Sequence, residues 1–173
     1  MMNEALIKKI IPSRVLSFLW SKINSVYYSG AHSSMCGMCS WSGYFVNNYC
    51  PKCKSLPRNR LLHYCLRNFK KNKKILHVGP SKNEVIFVKN HLKPSLYHTV
   101  DYINHKLINT IQDITKDGLK KDYYDLVIIW HVLEHIKEDN IAISNLYDSL
   151  KDSGTMIASV PIYPEGNLIT KED

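Results

Sequence analysis

Residues 124–130 read YDLVIIW, and HVLEHI follows at 131–136. A run that is apolar almost throughout, without alternation, describes a strand covered on both faces. Such strands lie inside parallel sheets, whereas a half-wet antiparallel strand alternates apolar and polar side chains. A parallel neighbour requires a crossover connection, usually a helix, so helical segments should separate the strands on either side. Upstream, KILHVG at 74–79 is a short apolar run ending in glycine, Asn83 to His91 has helical spacing, and SLYHTVD at 95–101 is strand-like again. IQDI, around Asp113, supplies a short third strand. Downstream, His131 to Leu150 reads as helix with a break at Lys137 to Asn140, and GTMIASVPI at 154–162 is a fifth strand. The alternation predicts an α/β domain, a doubly wound parallel sheet, over 75–173.

In front of the sheet, SLPRNRLLHYCLRNF at 55–69 has helical periodicity. It places Leu61, Leu62, Cys65, Leu66 and Phe69 on one face and Arg58, Arg60 and Arg67 outside, so Cys65 is expected in the core. The run Lys70 to Lys74 closes this connecting segment, 55–74. Before it, residues 35–54 hold Cys36 and Cys39 around Gly37-Met38, and Cys50 and Cys53 around Pro51-Lys52, with ten residues between the pairs. Each CxxC forms a knuckle that aims two thiolates at one point, and a short hairpin between knuckles closes a tetrahedron, the geometry that Zn2+ prefers. With all four positions filled by protein, the metal would be structural. Residues 1–34 comprise an amphipathic helix, Leu6 to Tyr27, and a small-residue linker; the helix is suited to packing on its own domain, to a partner or to a peripheral membrane contact.

The charge is divided. Residues 1–74 hold 13 Lys and Arg against the single Glu4, while from Ile75 onward 10 Lys face 14 Asp and Glu. A basic front attracts phosphate, nucleic acid or an anionic surface, or is simply a solvated lysine-rich face. Doubled CxxC pairs point to metal in a reducing compartment, hence the cytoplasm. Pro12, Ser13 and Arg14 split the N-terminal apolar run, which argues against a secretory signal, and no stretch reaches the ~20 apolar residues of a membrane span.

In an open parallel sheet, ligands bind outside the carboxyl ends of the strands. The first strand ends in Val78-Gly79-Pro80-Ser81-Lys82-Asn83-Glu84, where Gly79 lets the backbone approach a ligand. The second ends in Asp101, placed to accept from ribose hydroxyls. The third ends near Asp113-Ile114, and the fourth delivers Trp130-His131.

LHVGPSKNE, the acid ending TVD, the DI pair, YDLVIIWHVLEHI and LYDSLKDSGTMIASVPI together resemble the successive motifs of class I S-adenosylmethionine-dependent methyltransferases, specifically the type 11 group. CPKCKSLPRNRLL resembles the zinc-knuckle segment that precedes such a domain in some bacterial members. The resemblance implies a Rossmann-like sheet of order 3-2-1-4-5, lacking the last antiparallel strands because the chain stops early, and S-adenosylmethionine as cofactor. By position, it implies that His77, Gly79 and Pro80 border the methionine part, that Asp101 and Tyr102 bind the ribose, and that Asp113 and Ile114 flank adenine. His131 would sit near the sulfonium, with His131 or His135 as the base if the acceptor must lose a proton.

The acceptor is not specified by any residue; by analogy with knuckle-bearing relatives it is a glycan precursor, or RNA. The rival of a different class is a zinc-ribbon protein that binds nucleic acid or a partner through its basic front and carries a degenerate methyltransferase domain. There Trp41, Tyr44 and Phe45 would stack on bases, or else fill the ribbon's small core. His131, Glu134 and His135 also fit the H-x-x-E-H pattern of inverted zinc peptidases, which require a further acidic ligand on a later helix.

Overall fold

The computed structural model describes residues 34–45 and 48–161. The N-terminal helix expected at Leu6 to Tyr27 lies outside these residues. Two compact units are present, Met1–Asn68 and Phe69–Asp173.

In the first unit, β1 (Ser34–Met35) and β2 (Ser42–Gly43) form a minimal antiparallel pair. Helix α1 follows at Pro57–Leu66. Pro57 opens it with a preset φ and no N–H to satisfy, and the Asn59 side chain accepts the Leu56 N–H at 2.9 Å. The buried residues of α1 are Asn59, Leu62 and Leu66, a single stripe at spacings of three and four. Leu61 and Cys65 are exposed, which corrects the expectation of a wide apolar face with Cys65 in the core. A helix of ten residues on so small a module has room to bury one stripe only.

The second unit is a five-stranded sheet: β3 (Lys74–Val78), β4 (Leu96–Asp101), β5 (Thr110–Ile111), β6 (Tyr124–Trp130) and β7 (Leu150–Ser159). The order is β5-β4-β3-β6-β7 and every pairing is parallel. This is the expected 3-2-1-4-5 arrangement, with the chain winding first to one side of β3 and then to the other. β6 decides it: Leu126, Val127, Ile128 and Ile129 are each fully buried between β3 and β7. On one face, Leu76, Val78, Val100, Val127 and Ile129 pack with Leu133, Ala142, Leu146 and Leu150.

The connections differ from one another. Helix α2 (Lys82–Phe87) starts with the Glu84 carboxylate accepting the Ser81 N–H at 2.8 Å, and its last turn widens into a π-turn, Val88–Leu92. Helix α3 (Asp139–Asp148) brings Ala142 and Leu146 to the core. The segment 131–136, expected to begin that helix, is instead a 3-10 turn at Leu133–His135. His131 at φ +57° and Ile136 in an extended conformation interrupt any helical path before Asp139. β7 starts four residues earlier than expected: its register jumps from Tyr124↔Leu150 to Leu126↔Thr155, so the strand bulges at the polar Lys151-Asp152-Ser153-Gly154.

Residues 102–109, between β4 and β5, contain no helix. That link is stitched to β4 by polar contacts instead. The Asn109 side chain accepts the Thr99 N–H at 2.9 Å, and the Thr99 hydroxyl donates to the Leu107 carbonyl at 2.8 Å.

Candidate functional site

The two CxxC segments fold alike. Cys36 N–H donates to the Trp41 carbonyl at 2.7 Å and Ser40 N–H to the Cys36 carbonyl at 2.8 Å; in the second knuckle, Cys50 N–H donates to Ser55 at 3.0 Å and Lys54 N–H to Cys50 at 2.8 Å. Ser40 and Lys54 hold matching left-handed φ values of 58° and 61°. The repeated turn aims two Sγ atoms from each segment at one centre. All four Sγ lie within 4.8 Å of one another, with Cys36 to Cys53 at 3.7 Å and Cys39 to Cys50 at 3.6 Å. Zn–S bonds of about 2.3 Å in a tetrahedron put sulfurs about 3.8 Å apart, so the donor set fits the ion in number, chemistry and spacing.

Burial raises the Cys36 thiol, but hydrogen bonds from Ser55 and from the Met38 and Cys39 backbone outweigh it and bring it down to about 7, whereas burial pushes Cys39 and Cys50 up. A divalent cation would take all four as thiolates. The buried Ser55 hydroxyl lies 3.2 Å from Cys53 Sγ and 3.5 Å from Cys36 Sγ, a contact that the CxxC spacing gave no hint of.

Around the cysteines, Trp41 is 8% exposed and meets Phe45 edge to face, with ring centroids 5.4 Å apart. Arg60, expected on the outside, lies over the Phe45 ring at 4.5 Å and donates to the Asn48 and Ser55 carbonyls at 3.1 and 2.7 Å. These groups are occupied in building the module. Arg67 stacks on Tyr64, 4.1 Å from the ring centroid.

In the sheet unit, a cleft of about 300 Å³ opens at the carboxyl ends of β3, β4 and β5. It is lined by Val78 and Gly79 at the end of β3, Asp101 and Tyr102 at the end of β4, Gln112 to Thr115 after β5, and Val132 and His135 to Glu138 after β6. Thus Gly79, Asp101, Tyr102, Asp113, Ile114 and His135, separated by up to 56 positions, meet in one place. Gly79 has φ +57°, and a Cβ there would stand 2.7 Å from Val132 Cγ2. Both the backbone and the space therefore demand glycine. Asp113 is held ionised by the Thr115 hydroxyl, which donates to Oδ1 at 2.7 Å, and by the Thr115 N–H at 3.0 Å.

Three residues expected at the site do not line this cleft. Pro80 is buried behind Gly79. His77 is fully buried in β3, its Nδ1 2.8 Å from the Tyr97 hydroxyl and its Nε2 3.8 Å from Glu84 Oε2 without a hydrogen-bond partner. Burial lowers its pKa to about 3, so it stays neutral and acts on the sheet beneath the loop. His131 sits beside the cleft, its Nδ1 3.5 Å from Glu134 Oε1, while the His135 side chain is 79% exposed. Among the described residues, the four cysteines are the one group in which three or more metal-ligating side chains converge; around Glu134 the approaches are pairwise, His131 at 3.5 Å and His135 at 4.0 Å. Gln112, Thr115, Val132, Ile136, Lys137 and Glu138 also line the cleft, though no motif marks them. Their one signal was adjacency to the ends of β5 and β6.

A parallel sheet with its switch point at β3, a glycine turn after that strand and a carboxylate ending the next are the features of a Rossmann-like fold. A model of the methyltransferase domain matches residues 51–167, and the chain belongs to that family. A 65-residue stretch, 38% of the chain, is 35% identical to the highly reducing polyketide synthase otaA of Aspergillus niger, of which it covers 2%. Among solved structures, phosphoethanolamine N-methyltransferase 2 of Haemonchus contortus, in complex with phosphomonomethylethanolamine and S-adenosylhomocysteine, aligns at TM-score 0.52 and 15% identity over 60% of this chain and 28% of that one. A putative methyltransferase of Bacillus halodurans aligns at TM-score 0.51 and 14% identity over 61% and 52%. The chain thus shares the fold of S-adenosylmethionine-dependent methyltransferases and spans about half, or less, of the length of these relatives. Among the described residues no helix is long and apolar enough to cross a membrane.

Proposed function

We propose that the chain binds S-adenosylmethionine in the cleft above β3 and β4 and transfers its methyl group to an acceptor. One observation carries the reading: Gly79, Asp101, Asp113 and Ile114 line a single cleft at the carboxyl ends of adjacent strands. Family membership supplies the chemistry. In this reading Asp101 accepts the ribose hydroxyls beside exposed Tyr102, and Asp113 and Ile114 hold adenine. Gly79 admits the methionine part over the Val78 backbone, with Pro80 and buried His77 shaping the loop from behind. Methyl transfer from a sulfonium is an in-line displacement, so alignment of donor and acceptor is the main task. His131 stands next to the transfer point, and His131 or His135 takes a proton where the acceptor carries one.

The acceptor is of the glycan-precursor type, or RNA attracted by the net positive charge of residues 1–74. A role for Trp41 and Phe45 in base stacking loses support from their packing against each other. Cys36, Cys39, Cys50 and Cys53 hold one structural Zn2+, as befits thiols kept reduced in the cytoplasm.

Titration calorimetry with S-adenosylhomocysteine tests the cofactor assignment. Binding in the micromolar range, weakened about 100-fold or more by Asp101→Ala, is expected when two hydrogen bonds to a charged group are lost. Absence of binding by the intact chain favours the degenerate-domain reading.

A further inference from the structure

Asp101 is held by the link that follows it. Its Oδ1 accepts the Ile103 N–H at 3.2 Å, and its Oδ2 is 3.1 Å from His105 Nε2. An ionised carboxylate only accepts, so Nε2 carries the proton. His105 opens a tight turn closed by Ile108 N–H on the His105 carbonyl at 3.0 Å, within the helix-free link 102–109. The end of that link is fixed by the Thr99 stitch, and Thr99 itself is 2% exposed. His105 is thereby anchored from both directions along the chain. It is not among the residues that line the cleft. A carboxylate offers about four acceptor positions on two oxygens. These contacts occupy one on each, leaving one on each for the cleft, where Oδ2 lies 3.9 Å from the point at which a side chain on Gly79 would begin.

We propose that His105 is a positioning residue that fixes Asp101 as a two-oxygen acceptor for vicinal hydroxyls, so that the cleft selects ribose-bearing adenosyl ligands over their deoxyribose counterparts. The proposal rests on the reading of Asp101 as the ribose-binding residue. Without His105, Oδ1 keeps the Ile103 N–H but Oδ2 is no longer held, and ordering it falls to the ligand. The selectivity follows because a carboxylate held in place loses a partner when one hydroxyl is missing, while a mobile one turns to water.

Calorimetry of the full chain with S-adenosylhomocysteine and with its 2′-deoxyribose counterpart separates the two layers. Wild type should favour the ribose ligand by about tenfold or more. His105→Ala should weaken the ribose ligand alone and reduce the preference to roughly two- or threefold, and His105→Gln, which can still donate to Oδ2, should restore most of it. His105→Asn, polar but too short to reach Asp101, should behave like His105→Ala and serves as the second variant. In an Asp101→Asn background the His105 substitutions should have no further effect. Equal binding of both ligands by wild type, or binding of neither, removes the reading of Asp101 and the proposal with it. A wild-type preference that survives His105→Ala, or an equal loss of both ligands, overturns the proposal and leaves the role of Asp101 standing.

Discussion

Among the described residues between Cys36 and Ser55 the buried apolar ones are Cys36, Trp41, Cys50 and Pro51, whereas between Ile75 and Leu150 the sheet buries aliphatic side chains on every strand but β5. Each fully buried aliphatic residue contributes about 1.5–3 kcal/mol, and each ordered residue costs about 1–2 kcal/mol of backbone entropy. The sheet can offset that cost from its own side chains. A knuckle pair of twenty residues cannot, and needs a ligand to hold it. Two regions of one chain thus place their stability in different chemistry, which makes them separable by experiment.

The largest separation should come from the metal. Cys39→Ser, or a strong chelator, should unfold the cysteine module and leave the sheet folded, because structural zinc sites contribute about 10–16 kcal/mol to folding. Metal analysis should give one zinc per chain in wild type and none in the variant; a metal-free module with an intact Trp41 environment breaks the comparison. Next in size is Gly79→Ala. Its left-handed φ and the 2.7 Å approach to the stiff Val132 side chain should displace the loop and weaken S-adenosylhomocysteine by roughly 10–100-fold, with zinc content unchanged. Retention of full affinity would show that the loop has room that the structure does not give it.

The last effect, on stability alone and developing only below pH 6.5, belongs to His77. Burial holds its folded pKa at about 3, below the ordinary 6.5, so between these values the unfolded chain binds a proton that the folded one does not. Stability of the sheet is therefore present above pH 6.5 and declines as pH falls towards 3, by up to about 1.4 kcal/mol per pH unit. Thermal melts of wild type and His77→Gln between pH 7 and 4.5 should show a shallower decline in the variant. The residual slope should come partly from His98, which burial and Lys120 also lower. Parallel pH profiles for the two proteins contradict this account of His77.

The sheet was legible because its inner strand β6 left no alternative: YDLVIIW cannot be half exposed, and a strand buried on both faces implies crossovers. Gly79, Asp101 and Asp113 were legible for a related reason, since strand ends are where such sheets keep ligands. His77 looked like a site residue because it lies two positions before the loop glycine, yet strand alternation turns it into the sheet. The turn at 131–136 escaped the periodicity because VLEHI carries a helical pattern while His131 departs from helical φ. Cys65 was misplaced by assuming a broad helix face that the small module does not need. The clamp on Asp101 was invisible for the opposite reason, as it arises from a link whose polar stitches follow no spacing rule.

Hydrogen exchange of the full chain with and without S-adenosylhomocysteine tests the central claim most directly. The account predicts ligand-dependent protection at 78–81, 101–105, 112–115 and 132–138, and none in the cysteine module at 36–55. Protection absent from the ends of β3 and β4, or centred on the cysteine module, would contradict it.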